Sequence, residues 1–203
     1  MRPLVLERFR THFLALLEGI AKRLAPMGIT ATHMTVLALA LSVVSGMLLW
    51  AKPTDRMSLL AAATLFAASS TMDAIDGTLA RLQGEETRFG AFVDSYADRI
   101  AEIVLVSGLM LGGYSNLFTG VLFLSTSLLI SYARARAEAL AVDMAGIGLM
   151  ERAERLILLI IGMLMWSLDS RSLDIILLAG SLLNIVTVLQ RSYHVWRVLG
   201  REA

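Results

Sequence analysis

Four aspartates lie within 26 residues of the chain at spacings typical of helix faces. Asp73 and Asp76 are three positions apart. Asp94 and Asp98 follow and are four positions apart. Residues at these spacings share one face of a helix, so two antiparallel helices joined by a short polar loop would bring the two pairs together. Converging carboxylates in an apolar setting repel one another unless cations neutralise them. Because hard divalent ions prefer oxygen ligands, the spacing predicts a site for Mg²⁺ or Mn²⁺, with two ions bridged by shared carboxylates.

Small residues accompany the aspartates. Gly77 directly follows Asp76, and Gly90 precedes Asp94 by four positions. A glycine has no side chain, so the phosphates and base of a ligand can approach the backbone there. The same glycines are also typical of close helix packing. The aspartates have two other interpretations: helix-end residues paired with nearby arginines, or a pathway for cations or protons.

A second cluster of charge is basic and falls later in the chain. It consists of the segments Ser131-Tyr-Ala-Arg134-Ala-Arg136-Ala-Glu138, Glu151-Arg152-Ala-Glu154-Arg155-Leu156 and Gln190-Arg191. The planar guanidinium suits phosphate, so converging arginines favour a phosphorylated substrate over a neutral alcohol. Arg134 and Arg136 diverge by about 200° on a regular helix, so only one can point directly inward, and Arg136 is the preferred candidate. Alternatively, these residues are the positive cytoplasmic ends of membrane spans or pair with neighbouring glutamates.

The overall composition indicates a membrane protein. Of 203 residues, 57% are hydrophobic and 17% are charged. The mean hydropathy is +0.70, which exceeds that of soluble domains. The absence of cysteine excludes disulfides and zinc-thiolate sites, and the three histidines show no ligand spacing. With a net charge of +1, the chain has no feature that favours nucleic-acid binding.

Hydrophobic periodicity predicts an all-α integral membrane fold with six transmembrane helices and an N-terminal amphipathic interfacial helix. Residues 1–25 form the interfacial helix, and residues 26–203 form the six-helix membrane domain. The expected spans are 34–51, from about 57 past the first aspartates, from about 89 to 111, 117–141, 156–168 and 173–198. No internal repeat is evident, which weakens an inverted-repeat transporter interpretation.

The distribution of basic residues predicts the orientation in the membrane. In the six-span arrangement 14 of the 18 Lys and Arg residues fall on one side and 3 on the other, with Arg99 inside a helix. Basic residues are enriched in cytoplasmic loops. We therefore expect a multi-pass protein of the cell membrane whose termini and active site are cytoplasmic.

The pattern D-x2-D-G-x2-A-R-x8-G-x3-D-x3-D from Asp73 to Asp98 resembles the signature of the CDP-alcohol phosphotransferases. That family comprises six-helix membrane enzymes, usually homodimers, that move a substituted phosphate from a CDP-linked donor to an acceptor hydroxyl and release CMP. The resemblance implies that Asp98 is both a metal ligand and the general base. The other implied metal ligands are Asp73, Asp76 and Asp94, and the implied nucleotide-binding residues are Asp73, Gly77, Ala80, Arg81 and Gly90.

The basic segments are similar to those of the branch of this family that uses inositol 1-phosphate, on diacylglycerol or archaeol donors. The resemblance implies an acceptor-phosphate site formed by Ser131, Arg134, Arg136, Arg152, Arg155 and Arg191. One departure is visible, because Thr30-Ala31-Thr32 stands where relatives often have Thr-Pro-Asn or Thr-Pro-Asp. This departure argues against a contribution of that segment to nucleotide binding.

The leading hypothesis is transfer of a phosphatidyl or archaetidyl group from a CDP-lipid to inositol 1-phosphate. An alternative keeps the reaction and uses glycerol 3-phosphate as acceptor. A different class, a cation or proton transporter, would use the same buried carboxylates, whereas a non-catalytic scaffold would gain nothing from them. The resemblance also implies a homodimer, for which Gly108-x3-Gly112 provides a close-packing motif.

Overall fold

The computed structural model describes residues 17–84 and 87–200, and these contain helices and connecting turns without a β-strand. A helix covers residues 17–24, here called α1, and the 3₁₀ turn Ala25–Met27 follows it. The remaining helices of the described residues are α2 (Ala31–Ala51), α3 (Arg56–Gln83), α4 (Arg88–Leu111), α5 (Leu117–Ala139), α6 (Arg152–Trp166) and α7 (Ser172–Leu199). The prediction of an interfacial helix over residues 1–25 falls largely on residues 1–16, which lie outside the described residues.

Several helix ends have local causes in the sequence. The Asn116 side chain accepts a hydrogen bond of 2.8 Å from the Phe118 N–H and so caps α5. Glu154 accepts one of 3.0 Å from the Glu151 N–H, which fixes the start of α6. The start of α6 was predicted wrongly: it begins at Arg152 instead of residue 156, because this capping contact brings the charged turn into the helix.

Four helices of the described part of the chain are long and apolar enough to cross a membrane: α2, α3, α5 and α7. The helix α4 has Asp94, Asp98, Arg99 and Glu102 within its length, and α6 has only 15 residues. Large apolar side chains remain exposed on these elements, among them Trp50 at 61% and Leu189 at 64%. Exposed apolar surface of this kind suits a lipid environment. The protein is therefore a membrane protein with four membrane-capable helices.

The described residues fall into two compact units. The first unit combines residues 17–44 with Thr64–Ala101, apart from residues 85 and 86. In it, Leu17 and Ala21 of α1 are buried in one apolar cluster with Met34 of α2 and with Ile75 and Leu79 of α3. Leu17 and Ala21 are four positions apart, as are Ile75 and Leu79, so each pair presents one helical face. This cluster holds α1 against the end of α3 that carries Asp73 and Asp76.

The second unit combines Ser45–Ala63 with residues 102–200. Close contacts between α2 and α4 depend on small residues here, because a Cβ on Gly108 would lie 2.5 Å from the Gly46 carbonyl oxygen. A Cβ on Gly112 would likewise collide with the Leu49 carbonyl. The glycines of the Gly108-x3-Gly112 motif thus serve packing within the chain, which removes this motif as support for a homodimer.

Polar side chains join α5 to α7 within the second unit. The Asn184 amide nitrogen, fully buried, donates hydrogen bonds of 3.1 Å to the hydroxyls of Thr126 and Ser127. A Cβ on Gly180 would lie 2.8 Å from the Phe123 ring, so glycine permits this close approach. Polar groups that bond across helices stabilise such packing in an apolar environment. On α7, Gly180 and Asn184 belong to a buried face that continues through Thr187 to Arg191.

The turn between α2 and α3 is fixed by Tyr114, which lies between α4 and α5. The Tyr114 hydroxyl donates to the Lys52 carbonyl and accepts a hydrogen bond of 3.0 Å from the Asp55 N–H. Its ring packs edge-on against Trp166, with ring centroids 5.1 Å apart. Burial raises the pKa of Tyr114, whereas hydrogen bonds from Ser58 lower the pKa of Asp55. Asp55 is therefore ionised at neutral pH, as suits a carboxylate that caps the positive N-terminal end of α3.

Candidate active site

Three of the four aspartates lie together in the first unit. Asp73 and Asp76 project from α3, and Asp94 projects from α4. One carboxylate oxygen from each lies within 4.8 Å of those of the other two. Asp76 is only 4% exposed, and the other two are half-buried. The three-residue spacing on α3 thus places two carboxylates on one face, as the sequence predicted.

Asp98 is not part of this group of three. It follows Asp94 by one helical turn on α4, and its side chain is 9% exposed. Its Oδ2 accepts a hydrogen bond of 3.1 Å from Nη1 of Arg99, which also donates to the Ser95 carbonyl. This contact holds the Asp98 carboxylate beside the Arg99 guanidinium. The proposed metal and base roles of Asp98 stay predictions.

The three clustered carboxylates have the donor chemistry of a hard divalent cation. All their ligand atoms are oxygens, and ionised carboxylates this close together repel one another where water is scarce, so a cation would stabilise the group. No histidine or cysteine takes part, so softer metals are disfavoured. The residues present therefore fit Mg²⁺ or Mn²⁺.

The residues predicted to bind the nucleotide surround this end of α3 and the start of α4. A Cβ on Gly77 would meet nothing within 4 Å, so the backbone there is open to a ligand. The Gly90 N–H, in the first turn of α4, donates a hydrogen bond of 2.9 Å to the Thr87 hydroxyl. Arg81 is exposed and donates to the Thr78 hydroxyl at 3.2 Å, and Ala80 is half-buried. The structure leaves this region accessible, and the nucleotide role of its residues stays a prediction.

Two arginines of the basic cluster are buried in the second unit and already have protein partners. Arg155 donates to both carboxylate oxygens of Glu102, from Nε at 3.0 Å and from Nη2 at 3.4 Å. The two residues are 3% and 4% exposed. Arg191, also 3% exposed, donates from Nη1 to the Ile130 carbonyl at 2.7 Å and from Nε to the Ile147 carbonyl at 3.0 Å. Each guanidinium has five N–H groups, so both retain donors while being held in a fixed orientation.

The other predicted acceptor residues are more accessible. Arg134 pairs with Glu138 one turn further along α5, with Nε and Oε1 2.7 Å apart. Arg134 and Arg136 are both exposed, Arg152 is half-buried, and Ser131 donates to the Ser127 carbonyl at 3.3 Å. The expectation that Arg136 rather than Arg134 points inward therefore has no support in their exposure.

The loop before α6 is held by side chains of α7. Gln190 accepts a hydrogen bond of 3.1 Å from the Leu149 N–H, and Thr187 accepts one of 2.9 Å from the Met150 N–H. Gly148 has a φ of +118°, and a Cβ there would collide with Thr187. Glycine is the residue that adopts this backbone without strain at so close an approach. These contacts fix the position of the loop that leads into α6, which carries Arg152 and Arg155.

Sequence reasoning missed two residues that contact the predicted site residues. Thr35 donates a hydrogen bond of 2.7 Å to Oδ2 of Asp76, and Glu102 forms the ion pair with Arg155. Their partners are 41 and 53 residues away in the chain. Glu102 had one available signal, since an acidic residue within a long apolar segment usually has a partner.

The chain matches the model of one protein family over residues 28–190, which contain the aspartate cluster and the basic cluster except Arg191. That family is described as CDP-alcohol phosphatidyltransferase, and the chain belongs to it. The resemblance of the aspartate motif is thereby confirmed.

Named relatives lie in the inositol-phosphate branch of the family. The chain is 40% identical over 148 residues to archaetidylinositol phosphate synthase of Methanothermobacter thermautotrophicus, covering 70% of this chain and 73% of the relative. It is 34% identical over 184 residues to phosphatidylinositol phosphate synthase of Corynebacterium glutamicum, covering 87% and 82%. This agrees with the similarity of the basic segments.

Solved structures of one relative are similar to most of this chain. Phosphatidylinositol phosphate synthase of Mycobacterium tuberculosis with CDP-DAG bound matches with a TM-score of 0.77 and 30% identity, over 90% of this chain and 94% of the other. The same enzyme in complex with manganese and citrate matches with a TM-score of 0.75 and 30% identity, over 89% and 88%. The similarity therefore extends from the motif to the fold.

Proposed function

We propose that this enzyme transfers a lipid phosphate, phosphatidyl or archaetidyl, from a CDP-linked lipid to inositol 1-phosphate and releases CMP. The observation that carries the proposal is the cluster of Asp73, Asp76 and Asp94 in a chain of this family, with oxygens within 4.8 Å of one another. The names of its relatives support the choice of acceptor. The reaction belongs to phospholipid biosynthesis.

Asp73, Asp76 and Asp94 would hold Mg²⁺ or Mn²⁺, and Asp98 would complete a site for two ions. When bound, the metal neutralises charge on the diphosphate of the donor. Asp98 takes the proton of the acceptor hydroxyl as its oxygen bonds to the lipid phosphorus. The bond from that phosphorus to the bridging oxygen breaks, and the electron pair leaves with CMP. The ion pair with Arg99 holds the Asp98 carboxylate in a fixed position for this transfer.

The nucleotide part of the CDP-lipid would lie over the open backbone at Gly77 and near Gly90, with Ala80 beside it. Arg81 would donate hydrogen bonds to its phosphates. Asp73 would also contribute to binding the nucleotide. The absence of any atom within 4 Å of a Cβ on Gly77 supports this placement. A bulky side chain there would occupy the space that the ligand needs.

The acceptor phosphate would bind the basic cluster of the second unit. Arg191 and Arg155 offer their remaining N–H groups in fixed directions, because other N–H groups are already bonded. Arg134 and Arg136, which are exposed, would supply further positive charge. The complete proposed set is Ser131, Arg134, Arg136, Arg152, Arg155 and Arg191.

We further propose that α4 and α6 also cross the membrane, which gives six spans in a domain of residues 26–203. Asp94 and Asp98 of α4 would then serve the catalytic site, while Glu102 pairs with Arg155. Helix α6 would be a short span with polar residues at both ends. Residues 1–25 would form the interfacial helix. The termini and the active site would face the cytoplasm of the cell, and two copies would form a homodimer.

The test is CMP release by the purified protein with Mn²⁺ or Mg²⁺ and a CDP-lipid. The acceptors compared are inositol 1-phosphate, free inositol, glycerol 3-phosphate and serine, each with a diacylglycerol and an archaeol donor. We expect release only with inositol 1-phosphate. Release with glycerol 3-phosphate alone would retain the aspartate chemistry and overturn the acceptor. Metal-dependent ion movement in vesicles without any CMP release would favour a cation or proton transporter instead.

A further inference from the structure

Thr35 of α2 contacts the carboxylate cluster through a single hydrogen bond. Its Oγ1 lies 2.7 Å from Oδ2 of Asp76, to which it donates. Thr35 is 7% exposed and Asp76 is 4% exposed, so water does not compete for either group. We propose that Thr35 is a positioning residue of the metal site, whose hydroxyl fixes the orientation of the Asp76 carboxylate for the cation. The inference rests on the metal site of the proposed function.

The hydroxyl of Thr35 has two possible acceptors and one proton. Besides Asp76 Oδ2, the Ala31 carbonyl oxygen lies 3.1 Å from Oγ1. A threonine within a helix commonly donates to the carbonyl four residues earlier, so the Ala31 contact is the local default. The contact with Asp76 is shorter and has a charged acceptor, which makes it the stronger of the two. The Thr35 hydroxyl therefore donates its hydrogen bond to the Asp76 carboxylate.

A fixed carboxylate binds a cation better than one that rotates. A carboxylate turns about the bond that joins it to Cβ, and a hydrogen bond to one of its oxygens limits that rotation. Asp73 and Asp94 present like charge nearby, so repulsion would otherwise favour orientations that move the Asp76 oxygens away from the site. Groups that bond to metal ligands in this way typically contribute about 10- to 100-fold to metal affinity.

The first unit contains a matched contact that lacks a carboxylate. Ser42, two turns further along α2, lies with its hydroxyl 2.7 Å from that of Ser69 on α3. Both serines are buried, as Thr35 is. The two contacts therefore both join α2 to α3 through a buried hydroxyl, and only one of them reaches the cluster. Removal of the Ser42 hydroxyl separates the effect of helix packing from the effect on metal binding.

The experiment is a Mn²⁺ titration of the purified full-length protein in detergent, followed by electron paramagnetic resonance of the free ion. Thr35→Val keeps the side-chain shape without a donor, and we expect it to raise the Mn²⁺ dissociation constant about 10- to 100-fold. Thr35→Ser keeps the hydroxyl and should remain within about threefold of the original protein. Ser42→Ala should bind Mn²⁺ as the original does. The metal-free thermal midpoints are measured for all three variants.

Equal Mn²⁺ affinity of Thr35→Val and the original protein would overturn the inference and leave the metal site standing. An equal loss in Ser42→Ala would also overturn it, because the effect would then belong to the packing of α2 on α3. Failure of the original protein to bind Mn²⁺ would instead overturn the metal site of the proposed function. If Thr35→Val does not fold, Thr35→Cys offers a weak donor of similar size. Its Mn²⁺ affinity should then be lower than that of Thr35→Ser.

Discussion

The two units differ in how their charged side chains are arranged: the first gathers carboxylates of like charge, and the second pairs opposite charges. In the first, Asp73, Asp76 and Asp94 bring three carboxylates of like charge within 4.8 Å. In the second, Arg155 meets Glu102 in a buried ion pair. Gathered like charges destabilise the protein until a cation binds, whereas a buried pair of opposite charges needs no ligand to be satisfied. The acidic cluster therefore indicates a bound cation, whereas the buried ion pair holds Arg155 in a fixed orientation.

The largest expected effect is that of Asp94→Asn on catalysis. Loss of one carboxylate should reduce metal binding and lower CMP release by about 10³-fold or more, since metal stabilisation of the reacting phosphate contributes several kcal/mol. The same change should raise the thermal midpoint of the metal-free protein, because one of three repelling charges is removed. Activity and metal-free melting are measured on the same preparation. A lower midpoint without metal would contradict the contrast between the two units.

The second prediction concerns Glu102→Gln, which should act in the opposite direction on stability. Arg155 would remain buried without its counter-charge, and breaking such a pair typically costs about 3 to 5 kcal/mol. We expect a marked fall in thermal midpoint, and partial recovery when Arg155→Gln is added to the same chain. The control is Glu138→Gln at the exposed pair with Arg134, where little change is expected. A Glu102→Gln midpoint equal to that of the control would show that the buried pair contributes nothing.

This contrast also explains which parts of the site could be predicted from the sequence. The aspartates share helix faces at spacings of three and four, so local periodicity was enough to group Asp73 with Asp76. Thr35 and Glu102 act on partners 41 and 53 residues away, and no local pattern encodes such a contact. Asp98 is a separate case: it pairs with Arg99, its neighbour in the chain, and is not in the group of three that the structure brings together.

The fold shows the same division between local and distant causes. Apolar periodicity and turn residues predicted six membrane spans. Helices α2 to α7 lie at those positions, and four of them, α2, α3, α5 and α7, are long and apolar enough to cross a membrane. The start of α6 was misplaced, since a capping contact outweighed the charges of Arg152 and Arg155. The Gly108-x3-Gly112 motif was equally consistent with packing within one chain, and that is what the structure shows, because Gly108 meets Gly46 of the same chain. Which partner a small residue packs against is a tertiary fact, and the spacing alone does not contain it.

The third prediction separates binding from stability among the arginines. Arg136→Ala should raise the KM for inositol 1-phosphate about tenfold and leave the thermal midpoint nearly unchanged, because Arg136 is exposed. Arg191→Ala should lower both acceptor affinity and the midpoint, since Ile130 and Ile147 would lose a buried donor. Neither variant should alter CDP-lipid binding. Loss of nucleotide binding in both would mean that the basic cluster is not the acceptor site.

The smallest expected effect is that of Glu138→Gln on acceptor binding. Glu138 is the exposed partner of Arg134, so its removal should change stability by no more than about 0.5 kcal/mol. In the proposed site Glu138 competes with the acceptor phosphate for Arg134, and its neutralisation should therefore lower the KM for inositol 1-phosphate about two- to threefold. Because exposed charges are screened by salt, the gain should shrink as ionic strength rises. A KM that rises in this variant would mean that Glu138 orients Arg134 toward the phosphate, as Glu102 orients Arg155, and the exposed and buried pairs would then share one role.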